Sequence, residues 1–190
     1  MKKKAISYLI IMVISFLSLG LTFRDRKYTC PIDQHHFKAR MAASGTSFGI
    51  MLDFKRVGPI ASPWTLAQCP KCGFVFYKNK YSKKEINKLE NIVYSKEYKK
   101  EWKENTSYYS LARIYEKLGD INNMNIAWTY IQASWQANTR QYPKYAHLAL
   151  SYLKKVKKDK PKNKQKSKGK NQKARDHVIA HYLCIELHRR

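Results

Sequence analysis

The chain has 190 residues, with 38 Lys or Arg against 13 Asp or Glu and a formal net charge of +25. Hydrophobic residues make up 44% and aromatics 13%, enough to build a core, which excludes a wholly disordered chain. The charge excludes a protein tuned for basic partners and favours anionic surfaces.

Lys2, Lys3 and Lys4 precede an almost unbroken apolar run from Ala5 to Phe23. A basic stretch followed by an apolar one is the export pattern. The run holds 19 residues, close to the ~20 that span a bilayer as a helix. Residues 1–23 are therefore a signal peptide, cleaved near Ser18-Leu19-Gly20, or a retained anchor. A buried core helix fits less well, because no polar face interrupts the run. Both favoured outcomes place the remainder outside the cytoplasm, in the cell envelope or beyond.

Residues 24–80 are rich in Gly, Pro, Ser and aromatics and predict loops and short strands. From Ser82 the texture becomes helical. Ser82-Lys-Lys-Glu85 is a capping-box pattern, predicting a helix over 83–93. Helices are predicted over 106–118 and 122–138, turned at Gly119-Asp120, and over 143–156. The 81–156 region is thus helical. Residues 154–175 carry twelve Lys or Arg against the single acid Asp159. Without apolar periodicity, 157–173 is expected to be a disordered, solvated insertion. A final helix is expected within 174–190.

Four cysteines stand at 30, 69, 72 and 184. Cys69-Pro-Lys-Cys72-Gly73 has the spacing of a tight turn that aims two sulfurs at one point, as tetrahedral zinc sites require. Cys30-Pro-Ile-Asp33-Gln34-His35-His36 reads as a second such turn with Asp33 in place of its second cysteine. Cys30, Cys69 and Cys72 are the expected ligands of a structural zinc. Asp33 or a histidine, His36 or His35, is the fourth. In an oxidising compartment a disulfide among these cysteines is the competing outcome. A redox site would need its cysteine pair to open a helix after a strand; here Phe74-Val75-Phe76-Tyr77 follows the pair and reads as strand. No general base accompanies the cysteines, and no catalytic constellation is legible elsewhere.

His177, His181, Cys184 and His188 fall on one face of the terminal helix. One straight helix rarely closes a tetrahedral site, so a polar stripe opposite the apolar positions Val178, Ile179, Tyr182 and Leu183 is the preferred reading. Trp102, Trp128 and Trp135 sit at helical spacing and are expected to be core residues. The Lys-rich stretch lacks aromatics on a folded platform, so weak anion binding is expected of it and sequence-specific nucleic-acid recognition is not.

Tyr108 to Asp120, followed by Ala127, Trp128, Ile131 and Trp135, lies close to the tetratricopeptide helix-pair pattern. Several segments in order carry a wider likeness: Cys30-Pro-Ile-Asp33 with Phe37; Asp53-Phe54; Cys69 to Phe74; Tyr109 to Asp120; Ile126-Ala127 to Trp135; and His181 to Arg190. The chain resembles an uncharacterised bacterial family with an N-terminal cysteine knuckle followed by tetratricopeptide-like helices. The resemblance implies a mainly α scaffold with a small zinc-ribbon-like head, and no enzymatic activity. It departs from the pattern at Asp33, at the Lys-rich insertion, and at Arg190, where a further hairpin would follow.

The expected protein is an exported or membrane-anchored, non-enzymatic scaffold with a metal-stabilised head. Its helical region binds a protein or peptide partner, and its N-terminal segment meets the membrane. The alternatives are an extracytoplasmic thiol-disulfide or metal-handling protein using Cys69 and Cys72, and a tether to anionic surfaces through the Lys-rich loop.

Overall fold

The computed structural model describes residues 20–158 and 167–189. The expected signal or anchor falls almost wholly on residues 1–19, outside the described residues, as do residues 159–166 of the Lys-rich stretch. No described helix is long and apolar enough to cross a membrane.

Two long strands open the described chain. β1 (Thr22–Thr29) pairs antiparallel with β2 (His36–Ser44). They are longer than the short strands expected here, because the alternation of β2 shields Phe37, Ala39 and Met41 on one face. Thr22 and Phe23, counted in the apolar run, belong to β1, where Thr22 faces Ser44. A small second hairpin follows, β3 (Gly49–Ile50) with β4 (Arg56–Val57). Phe74–Tyr77, expected as strand, contributes only an isolated bridge between Gln68 and Val75. The backbone of this stretch instead turns back on the cysteine knuckle.

Six helices follow, so the described protein is mainly α. α1 (Lys83–Val93) starts at Ser82, whose hydroxyl accepts from the Glu85 amide while Glu85 accepts from the Ser82 amide. This is the capping box expected from the sequence. α2 (Lys96–Glu101), capped by Ser95, is a short helix that sequence periodicity does not mark. α3 (Ser107–Leu118) is capped by Thr106 and ends on Gly119 at φ 75, a left-handed position that glycine adopts without steric cost. α4 (Asn123–Gln136) begins at an Asn122 cap. α5 (Tyr142–Lys158) and α6 (Ser167–Arg189) complete the chain. α6 thus starts at Ser167, inside the stretch expected to be a disordered insertion. Lys, Gln and Ala there are good helix formers, and Gly169 alone does not stop the helix.

Helices α3 to α6 pack each against the next in chain order. Short connections make such neighbours antiparallel. Their core holds Tyr109, Ala112, Tyr130, Ile131, Tyr145, Leu153 and Leu183. A second core joins Cys30, Cys69 and Cys72 to Phe74, Val75, Leu89, Val93, Tyr98, Leu111 and Ile114. α3 therefore contributes to both: Leu111 and Ile114 to one, Tyr109 and Ala112 to the other. Trp102, Trp128 and Trp135 are partly buried and pack against these cores, near their expected role.

An ion-pair cluster links α2, α3 and α4. Arg113 bonds Glu97, Glu101 (3.0 Å) and Glu116. Tyr130 donates its hydroxyl to Glu116 across 2.8 Å. The flanking carboxylates keep the Arg113 guanidinium charged against its burial.

Candidate metal centre

The centre is built from two turns with the same backbone plan. In the first, the Cys30 amide donates to the His35 carbonyl (2.9 Å) and the Gln34 amide to the Cys30 carbonyl (3.0 Å). In the second, the Cys69 amide donates to the Phe74 carbonyl (2.8 Å) and the Gly73 amide to the Cys69 carbonyl (2.9 Å). Each turn carries a left-handed residue at its fifth position, Gln34 at φ 55 and Gly73 at φ 80. In each, the third and fourth amides, Ile32 and Asp33 or Lys71 and Cys72, point at the leading sulfur. Asp33 therefore occupies in the first turn the place that Cys72 holds in the second.

The two turns face each other. One donor atom from each of Cys30, Asp33, Cys69 and Cys72 lies within 4.8 Å of all the others. The Cys30 and Cys72 sulfurs are 3.6 Å apart. The Cys69 sulfur is 3.7 Å from both Asp33 oxygens. A tetrahedral zinc held at about 2.3 Å by sulfur and about 2.0 Å by oxygen would set S–S at about 3.8 Å and S–O at about 3.5 Å. A disulfide would need about 2.05 Å. All four cysteines are free thiols, and the three in the cluster are buried. The donor set fits a metal ion, and this cluster could hold one.

Electrostatics agree with a shared site. The Cys72 thiol beside Cys30 lowers Cys30 to about 7, with help from the Asp33 and Ile32 amides. The same contact, then burial, pushes Cys72 up. Burial raises Cys69. Burial pulls Asp33 upward too, but hydrogen bonds from Cys30 and from the His35 amide outweigh it and hold the carboxyl below its usual range.

The expected histidine ligands stand elsewhere. His36 begins β2, is exposed, and its Nδ1 lies 2.9 Å from the Thr29 hydroxyl across the hairpin. His35 stacks on Phe37. On α6, Cys184 is buried, His181 is exposed, and the His188 Nδ1 lies 2.5 Å from the Cys184 carbonyl oxygen. Among the described residues, only the Cys30, Asp33, Cys69 and Cys72 group brings metal-type donors together.

Comparison of the chain with protein-family models, with curated proteins and with solved structures gives no match.

Two supports of the centre carry no sequence motif. Tyr98 of α2 donates its hydroxyl to the Gly73 carbonyl, 2.8 Å away. Trp102 lies so close to Gly73 that a Cβ there would sit 2.4 Å from its ring. Gly73 itself was visible as the residue after the second cysteine; its aromatic cover was not.

A separate cleft of about 290 Å³ runs between α3, α4 and the segment that carries the second turn. Tyr77, Tyr108, Tyr115 and Trp128 form aromatic walls, with Asn125 and Gln132 along α4. None of its lining residues is charged.

Proposed function

We propose that this chain is an exported or membrane-anchored, non-enzymatic scaffold whose head is held by a structural zinc ion. The reading rests on one observation above all. Three of the four donors, Cys30, Cys69 and Cys72, lie in one buried core with residues of α1, α2 and α3, and the partly buried Asp33 completes the group. A metal there closes the loop from Cys30 to Cys72 and fixes the helices packed on it. Buried sulfurs favour a structural role over thiol exchange, which needs an accessible thiolate. Three sulfurs and one carboxylate suit zinc better than magnesium or calcium, which take oxygen.

The helical part is read as two tetratricopeptide-like pairs, α3 with α4 and α5 with α6. Small Ala112 and Ala127, both fully buried, let the first pair approach closely. The uncharged aromatic cleft along this pair is where a protein or peptide partner would lie. The N-terminal basic and apolar segment supports export and an envelope location. The wider likeness to a cysteine-knuckle and helical-repeat family is part of the same reading.

The test is hydrogen exchange on the full-length chain, as purified and with Cys30→Ser. Loss of bound metal together with faster exchange in α1, α2 and α3 is expected. Loss of metal with unchanged exchange in those helices would contradict the structural role.

A further inference from the structure

We propose that the β3–β4 hairpin and the outer face of α6 form one surface that rests on an anionic phospholipid bilayer. The hairpin is unusually apolar for an exposed element. Phe48 and Ile50 are 69% and 65% exposed, and Met51, Leu52 and Val57 are exposed beside them. Its other side is not free to shed them inward. Asp53 is buried and accepts from the Trp135 indole N–H at 2.7 Å, while Phe54 packs on Trp128 and Tyr182. The hairpin is thus pinned to the helices by its tip, with its apolar side chains turned to the outside.

The Phe54–Tyr182 contact, at 5.6 Å between ring centres, carries the surface onto α6. There Val178 and Ile185 are 70% and 72% exposed, with Tyr182 between them. Spacings of four and three residues put these on one stripe, and Arg175 and Arg189 extend it at either end. An exposed apolar stripe bounded by arginines is the pattern of a helix lying in a membrane interface. Arg56 supplies a further exposed cation on β4. The Lys-rich stretch leads directly into α6 in the sequence. Clustered cations of this kind favour anionic lipid.

The chain path supplies the independent argument for a bilayer rather than another protein. Thr22 pairs with Ser44 at the open end of the first hairpin. Two residues later the Thr46 amide donates to the Pro59 carbonyl at the base of the second hairpin, and the intervening Gly45 lies against Ile60. The apolar N-terminal run therefore reaches the folded part at the same end from which the exposed apolar hairpin departs. This placement rests on reading that run as a membrane segment; the apolar and basic surface does not.

The test uses the full-length chain carrying a nitroxide at Ile50→Cys, Ile185→Cys, or Lys88→Cys as the exposed control on α1. Each is reconstituted in phosphatidylcholine vesicles with and without phosphatidylglycerol. Accessibility to a water-soluble nickel chelate is expected to fall about fivefold or more at 50 and 185 in phosphatidylglycerol vesicles, and to stay unchanged at 88. Labels at 50 and 185 as accessible as the one at 88 would overturn the proposal. So would equal protection in both vesicle types, or spin–spin broadening that shows a second copy covering the face. Alkaline carbonate extraction reads the N-terminal anchor separately. Extraction of a chain whose labels were shielded would remove the anchor and leave the docking surface standing.

Discussion

The Tyr98 hydroxyl donates to the Gly73 carbonyl across 2.8 Å and ties the second cysteine turn to the helices. Both groups are buried, so each satisfies the other where water cannot. The turn, its Trp102 cover and the cysteines thus belong to one packed unit.

Gly73→Ala tests that unit. The position has φ 80, and a Cβ would fall 2.4 Å from the Trp102 ring. Left-handed strain plus overpacking is expected to cost about 3 kcal/mol or more. Gly119 has a similar φ of 75 but open space around it. Gly119→Ala should cost only about 1 kcal/mol. Urea unfolding of both variants gives the comparison; equal losses would mean that Trp102 does not press on the turn.

The Asp53–Trp135 hydrogen bond makes a second, separable prediction. Trp135→Phe removes the indole donor to a buried carboxyl. A cost of about 1–3 kcal/mol is expected. Hydrogen exchange should quicken at residues 51–55 while metal content stays unchanged. Loss of metal in this variant would show that the second hairpin and the cysteine turns are not independent.

The sequence was most legible where local chemistry decides. Ser82 with Glu85, Gly119 after Leu118, and the helical periodicity from 107 to 136 all placed elements correctly, because caps and apolar stripes act over a few residues. The pairing of Cys30 and Asp33 with Cys69 and Cys72 was legible for the same reason: each turn is a short spacing. Choosing Asp33 over His36 was not. That choice depends on His36 being the first residue of β2, where pairing with Thr29 across the hairpin holds its ring against the Thr29 hydroxyl and outside the donor group. Tyr98 and Trp102 were equally hidden as supports, since their partner Gly73 is distant in sequence. The start of α6 was misplaced because a Lys-rich stretch reads as solvated whether or not it is helical.

Asp33 gives a direct test of the donor set. Asp33→Cys places a fourth sulfur at the position equivalent to Cys72 and is expected to raise zinc affinity about tenfold or more, since structural sites favour sulfur. His36→Ala should leave it unchanged, because that ring lies against Thr29. Competition with a coloured chelator measures both. Weakened binding in His36→Ala would return the histidine to the site.

Glu85 predicts an acid-side dependence. The Lys78 ammonium, then the Ser82 amide and hydroxyl, hold its carboxyl down to about 2. A folded value below the unfolded one, about 4.3, means that this contribution is full above the unfolded value. It is lost as pH falls through that value toward 2. Unfolding measured between pH 5 and 2 should show a smaller acid loss for Glu85→Gln than for the native chain. Identical profiles would show that neither Lys78 nor the cap holds Glu85 in solution.

The most direct measurement is metal content together with thiol count on the full-length chain purified without chelator. About one zinc per chain is expected, with Cys30, Cys69 and Cys72 unreactive until the chain is denatured and all four cysteines then titrating as free thiols. A metal-free chain with two fewer thiols would mean that a disulfide holds the head, and the zinc-stabilised scaffold would be wrong.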